Sequence, residues 1–303
     1  MLRVDLNMAR KPLLVTSLPP RMSRLASNGE DIGSMYQKSC IDSWRAASFR
    51  PVSINSSSED YPHSVSKISL QRDARAVTGR PHVFFQDMLA AAVKESEGRP
   101  FAITNSDILL AAGTDLSDRV SSLRRGQVLF SRRIDIDEVS SKDGLAWQYG
   151  YDFFAVHPDD IMGLSTGMIF GAPWWDHFFP LMLHFSGCRI DQIDPHQFRH
   201  LKHEDRWDWD VWEKLGCRFM AELKASRHDV DSEWHLTEAI AAFDCELSVD
   251  PTPISRAGLP DNLDVVPQLH SVSDANLTYL DKVSIRRQRL RSFLGRLSWW
   301  RNA

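Results

Sequence analysis

The run at residues 101–110, Phe-Ala-Ile-Thr-Asn-Ser-Asp-Ile-Leu-Leu, constrains this chain more than any other stretch. Apolar residues enter it, the polar triplet Asn105-Ser106-Asp107 interrupts it, and apolar residues leave it. Continuous apolar runs without alternation suit parallel strands that are covered on both faces. Such a strand carries the polar residues that follow it to the edge of the sheet. Open α/β sheets bind ligands just outside the carboxyl ends of their strands. Asp107 is therefore the first candidate for metal or phosphate chemistry. The triplet reads equally well as a turn, because Asn, Ser and Asp all favour turns and caps.

The flanking elements have the order of an α/β layer fold. Leu13-Leu14-Val15-Thr16-Ser17 reads as the first strand, stopped by Pro19-Pro20. A helix is expected over 34–47 with Trp44 on its packed side, followed by a strand at 51–55. Residues 83–85 read as a short strand leading into a helix at 87–96, which Gly98 and Pro100 end. Further strands are expected at 128–131, 151–156 and 187–190, with a buried helix at 174–185. Residues 61–80 give a mixed pattern. No G-x-x-x-x-G-K-[ST] loop and no G-x-G-x-x-G occurs, which argues against a P-loop enzyme and a dinucleotide-binding Rossmann unit.

Composition narrows the partners. With 303 residues and a formal net charge of -4, the chain has ample material for a core and no overall pull towards nucleic acid. Cys40, Cys188, Cys217 and Cys245 form no C-x-x-C pair, so neither a zinc ribbon nor a disulfide framework is expected and a reducing cytosol fits. No apolar run is long enough to cross a bilayer, which makes a cytoplasmic location the expectation. Residues 1–11 read as a loose leader.

The chain divides into a domain at 12–220 and a helical C-terminal extension at 221–303. Within the extension, 221–247 read helical and 248–275 as a linker rich in Pro, Asp, Ser and Asn. Residues 281–303 read as a basic amphipathic helix. Between 283 and 303 lie six arginines and no acid, with Leu290, Phe293, Leu294 and Leu297 at helical spacing and Trp299-Trp300 near the end. This is the composition of an interfacial helix, and it suggests peripheral attachment to the inner membrane surface. Packing on the domain or on a partner subunit is the alternative.

Four groups carry chemistry: Asn105-Ser106-Asp107; Gly150-Tyr151-Asp152-Phe153-Phe154; Pro173-Trp174-Trp175-Asp176; and His200 with His203. Together they resemble the GT-A fold glycosyltransferases, specifically a little-characterised bacterial group, over roughly residues 12–215. The resemblance implies a GT-A-like α/β fold, a Rossmann-like mixed sheet flanked by helices. It implies sugar transfer from a nucleotide-sugar donor to an acceptor hydroxyl, and membrane attachment through 283–303 would suit an envelope or lipid-linked saccharide as acceptor. GT-A enzymes commonly hold Mn²⁺ or Mg²⁺ and the donor diphosphate with an Asp-x-Asp motif. Here Asn105 stands in place of the first acid, leaving Asp107 as the carboxylate, and His200 or His203 matches the histidine that completes the metal shell.

Asp176 matches the acid that opens a helix beside the acceptor and serves as base or binds the acceptor; the alternative is an acid present only for the helix dipole, and the helix N-terminus is expected to lower its pKa. Asp152 is expected to bind substrate or to be a buried structural acid, and Trp174 and Trp175 to form an acceptor platform or core. His200 and His203 are three apart, a spacing that fits one helical face. Asp135-Ile136-Asp137 is a literal Asp-x-Asp and the rival for the metal, although Arg132 and Arg133 stand ready to pair with it. Alternation along a strand would turn both its acids to one side. A nucleotidyltransferase and a non-catalytic binding protein on the same fold are the alternatives; the loop at 17–33 has Arg21 and Arg24 but only two glycines.

Overall fold

The computed structural model describes residues 11–225, apart from Ser27, 148–149 and 204–207. The chain begins with β1 (Leu13–Thr16), α1 (Gly33–Ala46), β2 (Arg50–Ser56), β3 (Ser66–Leu70), α2 (Arg75–Thr78) and α3 (Phe85–Ser96). It continues through β4 (Phe101–Thr104), β5 (Ile108–Leu110), α4 (Leu116–Ser121), β6 (Gln127–Ser131), β7 (Ile134–Ile136) and β8 (Leu145–Ala146). It ends with β9 (Phe153–Val156), α5 (Trp175–Phe185), β10 (Arg189–Gln192), β11 (Phe198–Leu201) and α6 (Trp209–Ala225).

Seven strands form one sheet in the order β10-β6-β9-β4-β1-β2-β3. All its neighbours pair parallel except β9, which runs antiparallel to both β4 and β6. β1, β4 and β9 are buried at every position, as expected for strands covered on both faces. The chain thus has the α/β architecture that the GT-A resemblance implied, a Rossmann-like mixed sheet flanked by helices.

A second sheet, β5-β11-β7-β8, lies at the carboxyl edge of β4. Its strand β5 accounts for one departure from expectation. The run at 101–110 is two strands in two sheets, with Asn105-Ser106-Asp107 as the turn between them. The triplet is at once the carboxyl end of a sheet strand and a turn. Likewise the chain leaves β6 at Ser131 and crosses into β7 of the second sheet.

Helix α1 follows its apolar spacing. Tyr36, Cys40 and Trp44 recur every four residues and are buried, and Trp44 donates its indole N–H to the Ile108 carbonyl at 2.7 Å. Residues 83–85 correct the expected short strand. Phe84 makes only an isolated bridge to Ile169, and Phe85 opens α3 with its ring buried against Trp175 and Phe179. A three-residue apolar run cannot distinguish a strand from the first turn of a buried helix. Strand β3, in the mixed segment, is an edge strand with two exposed positions and so carries little apolar signal.

Helix α6 continues across position 220 to Ala225. The expected elements at 226–247, 248–275 and 281–303, including the basic tail, lie outside the described residues. No described helix is long and apolar enough to cross a membrane.

Candidate metal and catalytic site

Strand register builds the site. Thr104 of β4 pairs with Phe153 of β9, which pairs with Ser131 of β6, so the residues just beyond them meet at one edge. The Asp152 carbonyl accepts hydrogen bonds from the Asn105 N–H at 3.2 Å and the Thr104 hydroxyl at 2.8 Å, and the Asp152 N–H donates to Ser131. In the second sheet, His200 of β11 lies between Ile108 of β5 and Asp135 of β7. Asp107, one residue before β5, therefore arrives beside His200.

Asp107 is the hub. Its Oδ2 lies 3.3 Å from Nε2 of His200, 4.0 Å from Nε2 of His203 and 2.5 Å from Nη2 of Arg24. One ligand atom from each of Asp107, His200 and His203 falls within 4.8 Å of the others, a spacing that a single cation can bridge. Burial alone would raise the Asp107 carboxyl, but the charge and hydrogen bond of His200, with Arg24 behind, hold it well below the usual carboxylate range. Burial lowers the His200 imidazole and its two carboxylate neighbours outweigh that, leaving it raised. Tyr36 completes the floor. Its hydroxyl donates to the Asp107 carbonyl at 2.7 Å and accepts from the Leu201 N–H at 2.7 Å.

The histidines do not share a helical face. His200 lies in a strand and His203 two residues past its end, and their rings meet edge to face at 5.0 Å. The rival Asp-x-Asp also resolves. Asp135 is buried and binds His200 Nδ1 at 2.9 Å and Arg133 Nε at 2.8 Å, whereas Asp137 stands past the strand end, exposed and near Lys202. Asp135 is thus engaged with His200 and Arg133, and the pairing expected of Arg133 holds.

Arg133 also donates to Asp152 Oδ1 at 2.9 Å, and that oxygen accepts from the Asn105 amide at 2.8 Å. At 2% exposure Asp152 lies beneath the site, which corrects its expected substrate contact in favour of the buried structural acid. The Asn105 amide, expected to bind substrate, is likewise turned to Asp152. This gives a reason for Asn at 105. An acid there would set two carboxylates against each other, whereas the amide donates.

Trp174 and Trp175 are core, not an acceptor platform. Trp175 packs on Phe85, Phe154 and Phe170, while Trp174 stacks on Phe219 and donates to the Trp212 carbonyl at 2.9 Å. Both are under 10% exposed, which leaves no face for a sugar ring. Trp174 adopts a left-handed backbone, φ 80°, immediately before α5, a conformation that a bulky residue holds only when its surroundings impose it.

Asp176 follows in the first turn of α5. Burial pushes its carboxyl up to about 7, against the lowering by the Tyr151 N–H that donates to it at 3.1 Å, with Asp152 pushing the same way as burial. The expected lowering by the helix N-terminus is present in its own and the His177 backbone N–H contacts, but desolvation exceeds it. Gly150 is required here, since a Cβ on it would lie 2.5 Å from Asp176 Oδ2.

Arg24 and Tyr36 were not visible as site residues in the sequence, because each reaches Asp107 only through the folding of the loop after β1 and of α1 onto β5.

No family model and no curated protein matches this sequence. Among solved structures, S. aureus TarS aligns at 12% identity over 77% of this chain and 69% of its own, with a TM-score of 0.48. A nucleotidyl transferase from Methanothermobacter aligns at 11% identity over 70% and 99%, with a TM-score of 0.37. HddC from Yersinia pseudotuberculosis aligns at 14% over 52% and 81%, with a TM-score of 0.31. Likeness at this level assigns no activity to the chain.

Proposed function

We propose that this protein is a metal-assisted glycosyltransferase that moves a sugar from a nucleotide-activated donor to an acceptor hydroxyl. The observation that supports it most is the convergence of Asp107, His200 and His203 at the carboxyl end of β4, with His200 Nδ1 tied to Asp135. A carboxylate that takes one imidazole nitrogen as a hydrogen-bond partner leaves the other aimed at a metal, as is usual around ligating histidines. One carboxylate and two imidazoles suit Mn²⁺ better than Mg²⁺, which prefers oxygen alone. When bound, the cation neutralises charge on the leaving diphosphate.

Asp176 is the proposed base. It takes the proton of the acceptor hydroxyl as that oxygen bonds to the anomeric carbon and the bond to the diphosphate breaks. A carboxyl near 7 is half ionised at neutral pH, where a base works best. An envelope or lipid-linked saccharide is the proposed acceptor class, with 283–303 as the membrane-facing segment.

Thermal shift with a panel of nucleoside diphosphates and nucleotide-sugars, with and without Mn²⁺, tests the reading. Native-state ligands raise the melting temperature by mass action. A shift with one nucleotide that needs Mn²⁺ and disappears in Asp107→Ala is expected, and no shift with any of them would overturn the reading. Nucleotidyl transfer is the second reading, favoured by one observation: Arg24 of the loop after β1 reaches Asp107. Phosphorus NMR of the products separates the two, since nucleotidyl transfer releases pyrophosphate and glycosyl transfer a nucleoside diphosphate.

A further inference from the structure

Arg24 competes for the oxygen that the metal needs. Its Nη2 sits on Asp107 Oδ2, the atom that also faces both histidines. Its remaining bonds are slight: Nη1 donates to the Ser23 carbonyl at 2.9 Å, and Nε is buried without a partner. The backbone beneath it is held. Asp31 Oδ1 accepts from the N–H groups of Arg24 and Gly33 at 3.0 Å each, and the Ile32 N–H donates to the Arg24 carbonyl at 2.8 Å. Gly33 is pressed so closely on this loop that an added Cβ would collide with the Met22 carbonyl oxygen. With the loop base clamped, the long side chain is the part that can move.

A divalent cation drawing Asp107 Oδ2 and the two imidazoles together would stand where the guanidinium now stands, and like charges cannot share that oxygen cheaply. We propose that Arg24 is a displaceable counter-ion of Asp107 and passes to a diphosphate when a divalent cation takes its place. This rests on the metal reading above. The guanidinium fork matches paired phosphate oxygens, and its unpartnered Nε supplies a further donor for them. Metal and diphosphate then bind cooperatively, because each favours the arrangement that the other needs.

The test is Mn²⁺ titration of the full chain, followed by the spin-resonance signal of free Mn²⁺, in wild type, Arg24→Gln, Arg24→Lys and Asp107→Asn. With no phosphate present, Arg24→Gln should bind Mn²⁺ about tenfold tighter than wild type. Arg24→Lys, which keeps the cation, should stay near wild type, and Asp107→Asn should lose the site. A purely structural arginine would give the opposite sign, since its removal would loosen the site. Unchanged or weaker Mn²⁺ binding in Arg24→Gln overturns the proposal while leaving the metal site standing. Absence of Mn²⁺ binding in wild type and Arg24→Gln alike overturns the metal reading and the proposal together. In a second arm, pyrophosphate is added with Mn²⁺ in excess. The melting temperature should rise in wild type and rise clearly less in Arg24→Gln; equal shifts overturn the transfer of Arg24 to the diphosphate.

Discussion

His200 shares a hydrogen bond with Asp135 at 2.9 Å through its Nδ1, and strand register places the two side by side on neighbouring strands. That contact fixes which imidazole nitrogen faces Asp107. Replacing Asp135 with Asn keeps the shape and removes the charge. Mn²⁺ affinity should fall by about 10- to 100-fold, the usual cost of losing such a supporting carboxylate, while the melting profile changes far less than the affinity. Isothermal titration with Mn²⁺ reads this directly, and an unchanged dissociation constant would remove Asp135 from the site.

Restoring a formal Asp-x-Asp should not improve the protein. Asn105→Asp would place a carboxylate where the amide now donates to Asp152 Oδ1 at 2.8 Å. Paired carboxylates at this distance raise the pKa of one member. The variant should lose on the order of 1–3 kcal/mol at neutral pH, the range of a buried polar group left without its partner. The loss should shrink as acid is added and one carboxyl takes a proton. Urea melts at two pH values would show it; equal stability to wild type at both would refute the account of why Asn stands here.

Asp176 sets a pH dependence of stability whose sign is definite. Its carboxyl is raised to about 7 in the folded protein from a usual 3.8, so the folded state holds the proton longer than the unfolded chain. Its contribution is therefore neutral at low pH, turns unfavourable as pH rises from about 4 to 7, and levels off above that. Asp176→Asn should lack this decline and gain on wild type by a few kcal/mol at most above pH 7, because each pH unit separating the folded and unfolded values is worth about 1.4 kcal/mol. If Asp176 is the base, the same variant should also abolish sugar transfer and leave donor binding in place. Parallel denaturation curves at pH 4, 6 and 8, with a turnover assay, separate the two effects.

Gly150 should tolerate no side chain. An alanine Cβ would collide with Asp176 Oδ2, and φ of 150° adds backbone strain. Gly150→Ala should cost about 1–3 kcal/mol, as overpacking does, and displace the Asp176 carboxyl. The double variant with Asp176→Ala should recover part of that loss. A thermal melt of the single and double variants checks it, and full additivity would mean that the two residues do not meet.

Much of the scaffold was legible because its cause is local. Leu13 to Val15 and 128–130 announce buried strands by unbroken apolar runs, and the helix at 34–47 was expected with Trp44 on its packed side, where the structure buries it. Asp107 was legible because an acid ends an apolar run. Less could be read where the same letters suit two environments. Phe84-Phe85 fits a strand or a helix start, Trp174-Trp175 fits a sugar platform or a core, and Asp152 fits a substrate contact or a buried brace.

The sequence by itself determined the layered α/β class, the positions of most strands of the seven-stranded sheet and the turn that carries Asp107, since these follow from apolar periodicity and turn chemistry within a few residues. Only the tertiary structure decided which groups meet. His200 and Asp135 are 65 positions apart and Arg24 and Asp107 are 83 apart, and each pair is joined by strand register or by a loop clamped against a helix. The pKa of Asp176 was decided there too. A helix start lowers a carboxyl and burial raises it, and how much water the surrounding aromatic core excludes settles which one prevails.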